Sequence, residues 1–193
     1  ELLRSVLPFQ YITIADLDKE ITKKYSRLAN DSTLNFILGE TYLDHLNDFE
    51  CIFKSPGISL KDLHYSLDLL KISSQTDIFL KVFSKQVIGV TGTKGKSTTA
   101  SLIYHILSLQ DSNVVLLGNI GIPPFSMLEK IDGHTRIVYE LSSHQLEYLP
   151  VAPHISVLLN LYQEHLDHYK SFEHYQLAKW NITLHQNSDD YFI

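Results

Sequence analysis

The stretch Val87-Ile88-Gly89-Val90-Thr91-Gly92-Thr93-Lys94-Gly95-Lys96-Ser97-Thr98 decides how the chain is read. Its apolar, β-branched start predicts a strand, its middle is a glycine-containing turn, and the run from Ala100 to Leu109 has helical character. A strand that turns tightly into a helix aims several backbone N–H groups and the positive end of the helix dipole at one point, where an anion would sit. A phosphate suits that point. Lys96 can then reach the outer phosphates of a nucleotide, and the Ser97 hydroxyl is placed to ligate Mg²⁺. The strict phosphate-loop pattern asks for a glycine where this chain has Val90. What remains is Gly-x-x-Gly-Lys-Ser, and a turn needed only for its geometry would not call for a lysine and a hydroxyl residue after its second glycine.

Downstream, strands and helices alternate. Strand 87–91 leads to helix 97–109, strand 114–117, the turn Gly118-Asn119-Ile120-Gly121 with Pro123-Pro124, and a short helix to Lys130. Strand 136–141, a helix over 142–148, strand 155–159, a helix from about Phe172 to His185 and a strand opening at Tyr191 follow. With no hairpin signal between strands, the class is α/β and the sheet P-loop-type, mostly parallel and covered on both faces. Upstream, residues 1–10 resemble the tail of a helix ending at Pro8, and Tyr11–Ala15 reads as a buried strand closing on Asp16 and Asp18. A helix over Ile21–Leu28, a strand over Thr33–Leu38 and a strand Cys51–Phe53 running into Ser55-Pro56-Gly57 come next, and residues 59–80 read as one or two helices with loops. A new strand–loop–helix unit begins just after Phe83–Lys85, which places a domain boundary there, between 1–84 and 85–193. The chain starts without Met in mid-element and stops inside the alternation, so a fragment, or a chain with an unordered start, is expected.

Composition narrows the function classes. A net charge of −6 and a pI near 5.9 argue against a nucleic-acid-binding surface. Cys51 is the only cysteine, so no intrachain disulfide forms and a reducing compartment is the simpler setting. No apolar run approaches the ~18 residues of a membrane span, and the start has no export signal. The expectation is a soluble cytoplasmic protein with neither nucleic acid nor membrane as partner.

Several residues can carry chemistry. Glu140 stands near the carboxyl end of an otherwise apolar strand, parallel to the one that feeds the phosphate loop, where it can supply the carboxylate that Mg²⁺ requires beside Ser97 or simply cap a helix. Asn160, Glu164, His165, Asp167 and His168 follow strand 155–159, a metal or phosphate site or else a solvated polar loop. Asp16 and Asp18 could meet a nucleotide's sugar or base, or cap the next helix. The Ser55-Pro56-Gly57 turn reads equally as a second phosphate site and as a plain turn. Lys179, within a helix, is of a type that is usually an exposed surface charge, and His144 is notable for falling just after Glu140.

Taken together, TGTKGKST (91–98), GNIG (118–121), ELSSHQLE (140–147) and NLYQEHLDHY (160–169) with Ala178-Lys179 closely resemble the Mur ligases, ATP-dependent enzymes that add amino acids to the UDP-N-acetylmuramoyl precursor of peptidoglycan. Within that family Ser97, the GNIG turn and the ELSSHQLE segment look most like the D-glutamate-adding branch, and the direct Lys96-Ser97 junction differs from folate-type relatives, which usually carry an extra glycine between the loop's lysine and its hydroxyl residue. The resemblance implies that 1–84 is a Rossmann-like UDP-substrate domain whose start is missing, and 85–193 the central ATPase domain without its C-terminal part. It implies ATP held by Gly92, Thr93, Lys94, Gly95, Lys96, Ser97 and Thr98, and Mg²⁺ held by Ser97 and Glu140. His165 would join a second metal with Lys179, the lysine that is carbamylated in the family. Asn119, Ser142 and Gln145 would face the muramoyl substrate, with Asp16 and Ser55, Pro56 and Gly57 on its uridine side. Lys96, Glu140, His165 and Lys179 would then be the catalytic set, in a monomer whose partners are the UDP-muramoyl substrate and an amino acid. These 193 residues alone should not turn over. The alternatives are a ligase for another acceptor, such as a folate, and a nucleotide-binding protein without ligase chemistry.

Overall fold

Alternating apolar runs separated by polar turns build two units, Glu1–Phe49 and Glu50–Ile193. The computed structural model describes residues 6–63, 66–118 and 122–193; the expected helical tail over 1–10 lies partly outside them and Asn119 wholly so. In the first unit, β1 (Ile12–Asp16) and β2 (Leu34–Leu38) pair in parallel, from Ile12 beside Leu34 to Asp16 beside Leu38. The expected helix over Ile21–Leu28 is two short ones, α1 (Ile21–Lys24) and α2 (Ser26–Ala29), because Tyr25 leaves helical geometry at φ −123°, ψ 72°. Asp18 accepts from the Glu20 N–H at 2.9 Å and pairs with Lys24 at 2.6 Å, and Asp16 accepts from the Asp18 N–H at 2.8 Å. Both acids are thus engaged in the local turn.

The second unit begins with a parallel pair, β3 (Ile52–Phe53) and β4 (Ile72–Ser73), and α3 (Gln75–Phe83), capped by Ser74, which accepts from the Asp77 N–H at 3.1 Å. The sequence boundary at 83–85 is not where the units divide. Phe79 and Leu80 of α3 are fully buried in the same core as Val87, Ile137 and Tyr139, so residues 50–84 pack with the sheet that follows.

That sheet contains β5 (Val87–Thr91), β6 (Val114–Gly118), β7 (Arg136–Glu140), β8 (Ile155–Leu158) and β9 (Tyr191–Phe192), all parallel, in the order β6-β7-β5-β8-β9. Side-chain alternation divides it into two faces. Val115, Leu117, Ile137 and Tyr139 pack with α3, Leu146 of the short helix α5 (Ser143–Leu146) and Ile182 of α6 (Phe172–Leu184). On the other face Val114, Val138 and Val90 meet Ala100 of α4 (Lys96–Ser108). The chain leaves β5 for β6 on one side and later places β8 on the other, so the order reverses at β5 and a crevice opens beyond its carboxyl end, between β7 and β8. Among the described residues, no helix is long and apolar enough to cross a membrane.

Candidate functional site

Three neighbouring strand ends, Thr91, Glu140 and Leu158, converge on that crevice. Val90, where the strict motif would have glycine, is fully buried and pairs with Glu140 and Val157, so it is still strand. The chain turns two residues later: a Cβ at Gly92 would come within 3.0 Å of the Leu159 Cβ. Gly95 then caps α4 at φ 86°, a left-handed conformation costly for other residues, and starts the helix at Lys96. Ser97 and Thr98 lie exposed in its first turn.

The lysines fold inward. Lys96 Nζ donates to the Gly92 carbonyl at 3.0 Å and to the Thr93 carbonyl at 2.9 Å. Lys179, in α6, is buried and not on the surface as its type suggested. Its Nζ donates to the Gly92 carbonyl at 2.9 Å and the Thr91 hydroxyl at 3.3 Å and sits 5.1 Å from the Tyr175 ring centroid. Burial, and next the nearby Lys96 charge, push its pKa down to about 7. Lys179 follows Tyr175 by four residues and precedes Ile182 by three, so it falls on the buried stripe of its helix, a signal the sequence did hold.

Glu140 is buried at the end of β7, and its Oε2 has no hydrogen-bond partner among the described residues. An orphaned carboxylate oxygen in a crevice beside a phosphate-type loop fits a divalent cation, which would satisfy both its charge and its lone pairs.

The acidic and histidine-rich segment after β8 divides its labour. Asn160 and Glu164 turn to the phosphate loop, with Glu164 pairing with Lys94 at 2.5 Å. His165 stays exposed at φ 58°, its ring 4.8 Å from that of His144. Burial, then the neighbouring His168 and His165, lower His144 to about 4, so it is neutral at neutral pH. His168 turns inward instead, where Glu147 Oε2 lies 3.0 Å from both His168 Nε2 and Lys54 Nζ. The segments carrying Ser55-Pro56-Gly57, Glu147 and His165 thus share one buried cluster, which the isolated motifs did not reveal. The Ser55–Gly57 turn itself is exposed, closed by Ile58 N–H to the Ser55 carbonyl at 3.1 Å. Ser142 and Gln145 hold each other in a capping box, Gln145 N–H to Ser142 Oγ at 3.2 Å and Ser142 N–H to Gln145 Oε1 at 2.9 Å. Asp16 belongs to the first unit.

A profile of the Mur ligase middle domain matches residues 90–193, more than half of the chain. The chain belongs to the Mur ligase family. Among its relatives in that family, the UDP-N-acetylmuramoylalanine--D-glutamate ligase of Clostridium kluyveri is 36% identical over 171 residues, covering 87% of this chain and 37% of the relative. The enzyme of the same name from Acetivibrio thermocellus is 36% identical over 163 residues, 83% of this chain and 35% of its own. A solved Mur ligase, MurF from Thermotoga maritima in complex with ADP, is 26% identical with a TM-score of 0.47, covering 61% of this chain and 29% of that one. The chain therefore spans little more than a third of the length of these curated relatives.

Proposed function

We propose that this chain is the first-domain remainder and ATP-binding core of a cytoplasmic, monomeric ligase that adds D-glutamate to UDP-N-acetylmuramoyl-L-alanine through an acyl phosphate. The observation that carries the reading is one crevice holding a Gly-Lys-Ser loop and a buried carboxylate oxygen without a partner, in a chain 36% identical to relatives named for that activity.

In this reading the loop from Gly92 to Thr98 receives the phosphates of ATP. Lys96, now bonded to its own loop's carbonyls, turns to the transferring phosphoryl group and offsets charge gathered there. Ser97 and Glu140 would hold one Mg²⁺, and His165 with a carbamylated Lys179 a second. Bound Mg²⁺ would supply positive charge to the phosphoryl oxygens. A pKa near 7 leaves much of Lys179 as the free amine, the form that can bond to CO₂ and release a proton to become an anionic carbamate. Asn119, Ser142 and Gln145, with Ser55–Gly57, would bind the UDP-muramoyl substrate.

The test is phosphate release by the full-length protein given ATP and UDP-N-acetylmuramoyl-L-alanine. Release should require D-glutamate and fall about 10²–10³-fold in Lys96→Ala. Release that ignores D-glutamate, or survives the substitution, overturns the reading.

A further inference from the structure

One side chain holds the phosphate loop from outside. Asn160 Oδ1 accepts from the Lys94 N–H at 2.9 Å while its Nδ2 donates to the Lys94 carbonyl at 3.1 Å, and the Asn160 carbonyl accepts from the Thr93 N–H at 2.9 Å. Two residues on, the Tyr162 N–H donates to the Thr93 hydroxyl at 2.9 Å, and that hydroxyl lies 2.8 Å from the Tyr175 hydroxyl. A side-chain amide can accept and donate at once, so Asn160 treats Lys94 as a neighbouring strand would. An aspartate carboxylate in its place could accept from the Lys94 N–H but not donate to the Lys94 carbonyl.

The N–H groups of Thr93 and Lys94 are already engaged, whereas the first backbone bond closing on Gly95 comes from Thr99 N–H, at 2.9 Å. The N–H groups of Lys96, Ser97 and Thr98 thus precede the helical ladder and point out of its amino end.

We propose that Asn160 is a positioning residue that fixes the phosphate loop in its binding conformation, leaving phosphate recognition to the start of α4, and that ties this loop to the segment carrying His165. The proposal rests on the reading that the loop binds nucleotide phosphates. By fixing Thr93 and Lys94, Asn160 sets where Gly95 starts the helix and hence where the anion sits. Through the short run 160–164 it also sets the spacing from that anion to His165. The exposed Lys94–Glu164 pair lies on the same strap and adds little, as solvent-facing ion pairs do.

The test uses the full-length protein, calorimetric titration with MgATP, and hydrogen exchange read by mass spectrometry. Asn160→Ala should weaken MgATP binding roughly tenfold, as loss of its two side-chain hydrogen bonds predicts. In turnover it should raise KM for ATP and leave KM for the acceptor unchanged. Peptides covering Thr93–Lys94 should exchange faster while those from β5 and β7 keep their protection. Should Asn160→Ala fail to fold, Asn160→Ser carries the same expectations. Unchanged MgATP affinity, or loss of protection spread across β5 and β7, overturns the positioning role while the nucleotide reading stands. A wild-type protein that does not bind MgATP sinks both.

Discussion

Lys179 Nζ and the Gly92 carbonyl lie 2.9 Å apart, and that oxygen also takes Lys96 Nζ at 3.0 Å. Burial, and next the Lys96 charge that the shared acceptor brings close, make Lys179 give up its proton readily.

Lys179 has a folded pKa of about 7 against an ordinary 10.5, so between those values the unfolded chain binds more protons than the folded one. Stability from this group therefore rises as pH climbs from 7 towards 10.5, and its penalty is complete below 7. Lys179→Met should remove that slope and be at least as stable as the wild type at pH 7. Urea unfolding of both proteins at pH 7 and 9.5 measures it; equal slopes would refute the burial effect.

Gly118 closes β6 at φ 108°, and a Cβ there would come within 2.2 Å of the Glu140 carbonyl. Gly118→Ala should cost about 2 kcal/mol or more, because the clash is with backbone that cannot swing aside and the left-handed φ adds strain. Gly57→Ala, whose added carbon meets nothing within 4 Å, should stay within about 0.5 kcal/mol of the wild type. Denaturant midpoints for the pair decide it.

Glu147 is the shared partner of Lys54 and His168, both nearly inaccessible. Glu147→Ala should cost about 3–5 kcal/mol, since it leaves a buried ammonium without its counter-charge. Removing the exposed Lys23 of the Lys23–Glu20 pair should be nearly silent. Thermal unfolding of the two variants would expose any error in that ranking.

Asp132 accepts from the His134 N–H at 2.8 Å, then from the Asn113 amide at 3.0 Å and the Thr135 hydroxyl at 3.0 Å, which together hold its pKa down to about 2. Its folded pKa is depressed, so its contribution is present above the ordinary value of 3.8 and is lost as pH falls towards 2. Acid unfolding of Asp132→Asn should be less steep in that window than that of the wild type.

The parallel sheet and phosphate loop were legible because their signals are local: apolar runs of strand length, glycines at a turn, and Lys-Ser opening a helix. β4 was not, since Ile72–Ser73 is too short for any period and becomes a strand only by pairing with Ile52–Phe53. The same holds for the site. That Glu140 stands at a strand's carboxyl end and His165 in the loop after β8 could be read from chain order, whereas the Lys54–Glu147–His168 cluster and the Asn160 strap exist only once distant segments meet. The boundary at 83–85 followed the motif and missed that Phe79 and Leu80 belong to the sheet's core.

Every adjacent pair in the five-stranded sheet is parallel, so none can form as a hairpin between chain neighbours. Val90 finds Glu140 and Val157 only after long intervening segments have closed, an entropy-limited and slow search. The crevice therefore has no hairpin precursor: Thr91, Glu140 and Leu158 become neighbours only when strands from distant parts of the chain have paired.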